Sequence, residues 1–156
     1  MDQPSRNIGF LLHDVARLMR KRFEQNARDI HLTRSQCQVL AHLARHEGIA
    51  QGGLADILEV EPITLTRIVD RLEAGGLIER RPHATDRRIR QLYLTSAARP
   101  LLSQIFARGA ATHAEALHDV PEDERERLLA ILTTMKLNLL GKLRAPRTAE
   151  RKVRHG

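Results

Sequence analysis

The stretch that decides the fold is residues 55–95, which read ADILEVEPITLTRIVDRLEAGGLIERRPHATDRRIRQLYLT. Between Pro62 and about Ala74, apolar residues recur at helical spacing and form one stripe: Leu65, Ile68, Val69 and Leu72. Pro62 suits an early helical position, where its missing N–H costs no hydrogen bond. We expect Gly75 and Gly76 to end the helix, one of them in the left-handed conformation of a C-cap.

The opposite face of this helix is polar. It carries Thr64, Arg67 and Arg71 at i, i+3 and i+7, with Ile63 and Thr66 beside them. Arginine can bind guanine edges, and threonine can contact phosphates or thymine methyl groups. A short helix at residues 51–58 and a tight turn precede it, which is the form of a helix-turn-helix. On this face alone, an ordinary solvated surface helix remains the alternative.

After the glycines, the hydrophobic period changes to two. We expect strands at residues 77–81 and 89–95, joined by the polar segment PHATDRR. The hairpin carries five arginines: Arg80, Arg81, Arg87, Arg88 and Arg90. Such a ribbon suits a wing that reaches along the DNA backbone into a minor groove, with Asp86 holding a neighbouring arginine by a charge-assisted hydrogen bond. A solvated turn with incidental charge is the alternative.

Four more helices fit the rest of the chain, at residues 7–29, 33–46, 96–117 and 121–143. Thr33 and Gln36 form a T-x-x-Q capping box at the start of the second of these, where Leu32 can pack on Cys37. The order predicts a mainly α fold with a small antiparallel β wing. We expect one domain over residues 1–143, with a winged helix-turn-helix lobe at about 33–96 and a basic flexible tail at 144–156.

Composition narrows the class of protein. The chain has 26 Lys and Arg against 19 Asp and Glu, a net charge of +7 that fits an anionic partner without identifying it. One cysteine, and no apolar run long enough for a membrane span, favour a soluble cytoplasmic protein with no membrane partner. We find no phosphate loop, nucleophile elbow or complete metal-ligand set, so we expect neither an enzyme nor a cofactor. Histidine pairs at 42 and 46, and at 113 and 118, lack further ligands.

Two motifs resemble a known family. Asp86, Arg87 and Arg88 precede Leu94 and Thr95 at the spacing of the wing in MarR-family regulators, and residues 70–80 match their D-R-L-E-x-x-G-L-I-x-R run. The similarity is greatest to the SlyA-like branch and extends over the helix order of residues 7–143. A proline near the start of the fifth helix, here Pro100, also resembles that branch.

The resemblance implies a site for double-stranded DNA. Residues on the second helix of the helix-turn-helix face the major groove, Arg88 enters the minor groove, and Asp86 and Arg87 brace the wing and touch phosphate. Gln51 matches a position that can meet the backbone. The expected DNA-binding residues are Gln51, Pro62, Ile63, Thr64, Thr66, Arg67, Arg71, Asp86, Arg87 and Arg88.

The resemblance also implies a homodimer and an effector. Family members pair through their first and last helices, here 7–29 and 97–143, which agrees with apolar stripes at residues 8–23 and 128–139. Many are repressors that release a pseudo-palindromic operator when a small anionic or aromatic ligand binds; Arg17, Arg20, Cys37 and Val39 match positions near that pocket. Plain surface charge is the alternative for the arginines, and a structural role is the alternative to redox sensing for the cysteine. The alternative function is a non-specific architectural protein that binds DNA or RNA.

Overall fold

The structure, a computed structural model, describes residues 6–144 and contains six α-helices and one two-stranded sheet in that range. The order confirms a mainly α fold with a small antiparallel wing. The elements are α1 Ile8–Asn26, a 3₁₀ turn Arg28–Ile30, α2 Arg34–Arg45, α3 Gln51–Leu58, α4 Pro62–Ala74, β1 Ile78–Pro82, β2 Arg90–Leu94, α5 Ala98–Ala116 and α6 Glu122–Arg144. The predicted tail beyond Arg144 lies outside the described residues.

The chain divides into two compact units, one ending at Ala116 and the other beginning at Leu117. The first contains α1 to α5 and the sheet, and the second contains α6. None of the helices within residues 6–144 combines the length and the apolar character needed to cross a membrane.

Local signals in the sequence define the start of α2 and the end of α4. The capping box of α2 is confirmed: Gln36 N–H donates to Thr33 Oγ1 at 3.1 Å, and Thr33 N–H donates to Gln36 Oε1 at 2.9 Å. Gly76 has a φ of +74°, which confirms a left-handed residue after α4. Leu77 N–H then donates to the carbonyl of Leu72 at 2.9 Å, completing a Schellman motif. This motif turns the chain from α4 directly into β1.

One hydrophobic core joins α2 to α5 and both strands. Every one of these elements contributes a fully buried side chain. The large ones are Leu40, Leu43, Leu54, Leu65, Leu72, Ile78, Leu92, Val39 and Val69, and α5 adds Ala98 with the nearly buried Leu102 and Ile105. Burying an aliphatic side chain of this size contributes about 1.5–3 kcal/mol. The apolar stripe of α4 is therefore held firmly, and its opposite face is presented outward.

The sheet is attached to the helix-turn-helix as well as to itself. β1 and β2 pair antiparallel from Ile78↔Leu94 to Pro82↔Arg90. On the other side of β2, Leu92 exchanges backbone hydrogen bonds with the segment before α3: Gly48 N–H donates to Leu92 O at 2.8 Å, and Leu92 N–H donates to Ile49 O at 2.9 Å. The wing is thus fixed relative to α3 and α4 at its base.

A few local predictions were wrong. α1 ends at Asn26 rather than residue 29, because the chain turns into the 3₁₀ segment there. α5 begins at Ala98 rather than Ser96, since residues 96 and 97 form a turn closed by the bond from Ala98 N–H to Thr95 O.

Candidate nucleic-acid interface

The outer face of α4 presents the expected base-reading side chains. Thr64, Arg67 and Arg71 are exposed, and Ile63 at the start of the helix is 59% exposed although it is apolar. Pro62 is the first residue of the helix and is also exposed. The buried Leu65, Val69 and Leu72 lie on the inner face. A rigid helix with arginine, threonine and isoleucine on its free face matches what a major groove presents to a protein.

Thr66 lies differently from the prediction. It is half-buried, and its hydroxyl donates to Pro62 O at 2.9 Å while it accepts from Gln51 Nε2 at 3.0 Å. Gln51 is half-buried too, and its Oε1 accepts from Arg80 Nε at 3.0 Å. In this structure, both side chains connect α3 to α4 rather than presenting free polar groups to a phosphate or a base. Their expected contacts with DNA stay a prediction.

Arg80 differs from the other hairpin arginines. Its side chain is only 15% exposed and pairs with two carboxylates of α4. Nη2 lies 2.7 Å from Asp70 Oδ1, and Nη1 lies 3.0 Å from Glu73 Oε1. With the bond to Gln51, this guanidinium joins α3, α4 and β1. All three charged residues of this cluster lie within the D-R-L-E-x-x-G-L-I-x-R run.

At the wing, Arg88 is held outward by Asp86, as predicted. The side chain of Arg88 is 91% exposed, yet its Nε and Nη2 donate to the two carboxylate oxygens of Asp86 at 3.1 and 3.2 Å. The Arg88 backbone N–H also donates to Asp86 Oδ1 at 3.1 Å. Hydrogen bonds from Arg88 hold the pKa of Asp86 below its usual value, so the carboxylate is charged at neutral pH. The neighbouring Arg87 is exposed.

Arg81 packs on the wing instead of pointing away from it. Its guanidinium carbon lies 4.0 Å from the centroid of the Tyr93 ring, and its Nη2 donates to Glu79 at 3.1 Å. Stacking of this kind buries a ring face and fixes the cation. Of the five wing arginines, Arg80 is mostly buried, and Arg81 is half exposed but stacked on Tyr93. Arg87, Arg88 and Arg90 lie exposed.

A separate cavity of about 660 Å³ lies within the first unit, between α1, α2 and α5. Its wall is mainly apolar, with Met19, Phe23, Ile105 and Phe106, and it includes the cations Arg20 and Arg34. Of the predicted effector residues, the structure brings Arg20 and Cys37 to this cavity.

The other two predicted effector residues lie elsewhere. Arg17 is exposed and bonded to Asp14 at 3.5 Å, and Val39 is buried in the core, 1% exposed. Arg17 and Val39 are each within one or two residues of a position that lines the cavity, but their side chains lie on another face of the helix. Cys37 is buried, and burial raises the pKa of its thiol, which leaves little thiolate at neutral pH. Among the described residues, no three His, Cys, Asp or Glu side chains gather where they would hold a metal ion.

Comparison with known proteins identifies the family of this winged lobe. The model of the MarR family matches residues 32–89, which span α2, the helix-turn-helix and most of the wing. The transcriptional regulator PA3341 is 32% identical, with a TM-score of 0.77, and the match covers 86% of this chain and 99% of that one. The chain belongs to the MarR family. MarR-family proteins are DNA-binding regulators and not enzymes, which confirms that prediction.

Two other MarR-type structures bear on the site. The transcriptional regulator SlyA is 26% identical, with a TM-score of 0.75, over 85% of this chain and 94% of that one. A mutant of MarR from E. coli, solved in complex with operator DNA, is 26% identical, with a TM-score of 0.73, over 86% of this chain and 99% of that one. Our chain is thus a MarR-family transcriptional regulator whose winged fold occurs bound to DNA in a relative.

Proposed function

We propose that this MarR-family regulator is a ligand-responsive repressor that binds a pseudo-palindromic operator as a homodimer. The observation that carries the proposal is that one lobe holds two exposed elements, α4 and the wing, in fixed positions. α4 offers a base-reading face, and the wing offers an arginine that is already braced by Asp86. Operator DNA bound to the E. coli relative supports the same partner here.

The base-reading role falls to Arg67 and Thr64. Both are exposed on α4, and neither side chain has a hydrogen-bond partner within residues 6–144. A free guanidinium can donate two hydrogen bonds to the O6 and N7 atoms of guanine, a geometry that distinguishes guanine from the other bases. Ile63 adds an apolar surface next to them, suited to a thymine methyl group.

Arg88 is suited to the minor groove. Its guanidinium is positively charged and extends from a narrow ribbon, and minor grooves of A·T-rich DNA are both narrow and strongly negative. The pair with Asp86 orders the side chain before binding, which reduces the entropy lost when it enters the groove. Arg87, beside it, is placed to neutralise a phosphate.

The homodimer is supported by apolar surface that the described chain leaves uncovered. On α1, Ile8, Phe10, Leu11 and Leu18 are each at least half exposed. On α6, Leu129, Leu137 and Leu139 are more than half exposed. Helices with this much exposed leucine and isoleucine are stable when a second copy covers them. A two-fold dimer would then place two recognition helices on half-sites about one helical turn apart.

The cavity beside α1, α2 and α5 supports an effector of limited size. Its volume of about 660 Å³ lies in the range of small-molecule sites. Phe23 and Phe106 suit an aromatic ring, and Arg20 and Arg34 suit a carboxylate. Because α1 also carries exposed apolar residues, a ligand there can couple to the separation of the two DNA-binding lobes. Release of a bound repressor by such a ligand would let transcription proceed in the cytoplasm.

Fragment selection tests the whole proposal. Genomic fragments that the protein retains should share an inverted repeat, and transcription from a promoter that contains it should fall when the protein is added. Benzoate, an aromatic anion, should weaken binding, whereas benzyl alcohol, its uncharged counterpart, should not. An Arg20→Gln variant should bind the fragment normally and lose the benzoate response. Fragments without a shared motif would instead support the alternative, a non-specific architectural protein.

A further inference from the structure

In the turn of the wing, backbone N–H groups donate hydrogen bonds to one histidine nitrogen. His83 follows β1 directly, and its Nδ1 accepts the backbone N–H groups of Thr85 and Asp86, each at 3.2 Å. The hydroxyl of Thr85 lies 3.2 Å from the same atom. The backbone of His83 completes the turn, since its N–H donates to Ile89 O at 3.0 Å.

These contacts indicate the tautomer of the neutral ring. A backbone N–H can only donate, so Nδ1 must be an unprotonated acceptor. The proton of the neutral ring then lies on Nε2. Within residues 6–144, Nε2 has no hydrogen-bond partner, and it is not fully buried, so solvent can reach it. The role of Nδ1 is the one that a side-chain oxygen of Asn or Asp plays in an Asx turn, because both atoms are attached to Cγ.

The same turn orients the arginine that we assign to the minor groove. His83 fixes the backbone N–H of Asp86, and the carboxylate of Asp86 receives the side chain and the backbone N–H of Arg88. The chain of contacts therefore runs from an imidazole nitrogen, through one residue, to an exposed guanidinium. Losing the first contact would free the backbone that carries Asp86.

We propose that His83 is a positioning residue for DNA binding, which acts by holding Asp86 and, through it, Arg88. The inference rests on the proposed function, because it takes Arg88 as a DNA-contacting residue. The competing explanation is a direct contact, in which Nε2–H donates to a phosphate. The two explanations differ in whether the effect of His83 depends on Arg88.

A double-mutant cycle separates them. The probe is a DNA duplex selected from genomic fragments by the wild-type protein. We expect His83→Phe, which keeps a ring without an acceptor, to weaken binding about threefold to tenfold, as the loss of one or two hydrogen bonds implies. His83→Asn restores an acceptor at the same position and should bind within about twofold of wild type. In an Arg88→Ala background, His83→Phe should have an effect of less than about twofold.

Controls distinguish a failure of the positioning role of His83 from a failure of the proposed function. His118→Phe, at an exposed histidine in the second unit, should leave binding unchanged. In nitrogen-15 NMR spectra, His83 should show a protonated Nε2 and an unprotonated Nδ1, and the amides of Thr85 and Asp86 should exchange faster with solvent in His83→Phe. An equal loss in both backgrounds, or failure of His83→Asn to restore binding, would overturn the positioning role. If Arg88→Ala itself binds normally, the wing assignment in the proposed function fails instead.

Discussion

The carboxylate of Asp86 receives Nε and Nη2 of Arg88 at 3.1 and 3.2 Å, although the arginine side chain is 91% exposed. An isolated exposed ion pair stabilises a fold very little. Here both groups lie within one turn, and the Arg88 backbone N–H joins the same carboxylate. We interpret the pair as a means of orienting a cation for a partner rather than as a source of stability.

Removing that cation should affect binding and nothing else. We expect Arg88→Ala to weaken binding to the selected operator by about 1.5–3 kcal/mol, the contribution of hydrogen bonds to a charged group. Asp86→Asn should cause a smaller loss, because the guanidinium remains but is no longer held. Fluorescence anisotropy measures both, and sedimentation should show unchanged assembly. Unchanged binding by Arg88→Ala would remove the wing from the interface.

Arg67 should control discrimination between bases. We expect Arg67→Ala to relax the preference at one position of each half-site by about 1–3 kcal/mol, and Arg67→Lys to relax it too, because an ammonium cannot form the paired hydrogen bonds. The measurement is a set of operators with single base-pair changes at that position. Arg87→Ala is the matched comparison and should weaken all of them equally, with a shallower salt dependence. A uniform loss in Arg67→Ala would make it a phosphate contact.

Arg80 should stabilise the lobe. In Arg80→Met, the carboxylates of Asp70 and Glu73 lose their shared cation and Gln51 loses a hydrogen bond. We expect the free energy of unfolding to fall by about 1–2 kcal/mol, less than for a fully buried pair because both carboxylates are partly exposed. Urea denaturation measures this.

Arg81→Met is the control for that experiment, since the Arg81 side chain is half exposed and pairs with Glu79. We expect it to lower the free energy of unfolding by much less than Arg80→Met does. Equal losses in the two variants would contradict the assignment of Arg80 as the connection between α4 and the wing.

The exposed apolar residues of α1 and α6 should form the dimer. We expect the protein to sediment as a dimer at micromolar concentration, and Leu11→Glu or Leu139→Glu to shift it toward monomer because a buried charge without a partner is strongly unfavourable. Ile57→Glu changes an apolar residue of α3 that is also exposed, and it should leave the dimer intact. A wild-type monomer, or dissociation by all three variants alike, would contradict this interface.

Local chemistry made most of the fold predictable from the sequence. The T-x-x-Q box at Thr33, the glycine pair after α4 and the change of hydrophobic period at Leu77 each determine the backbone within a few residues. The pairing of Asp86 with Arg88 was predictable for the same reason, since the two residues are two positions apart.

The residues that long polar side chains contact were not predictable in this way. Gln51, Thr66 and Arg80 meet only after α3, α4 and β1 have packed, and nothing in their local spacing distinguishes an arginine that turns inward from one that points to solvent. The cavity wall differs in this respect. Cys37 and Val39 are two residues apart on α2 and therefore lie on different faces of the helix, so that Cys37 lines the cavity while Val39 enters the core.

The ratio of specific to non-specific affinity tests the central claim most directly. The wild-type protein should be titrated with its selected operator and with a scrambled duplex of equal length and composition, both at about 150 mM salt, where non-specific charge attraction is reduced. If α4 and the wing read sequence, the operator should bind on the order of a thousandfold more tightly than the scrambled duplex. Equal affinities, with the same steep salt dependence for both duplexes, would contradict sequence-specific binding.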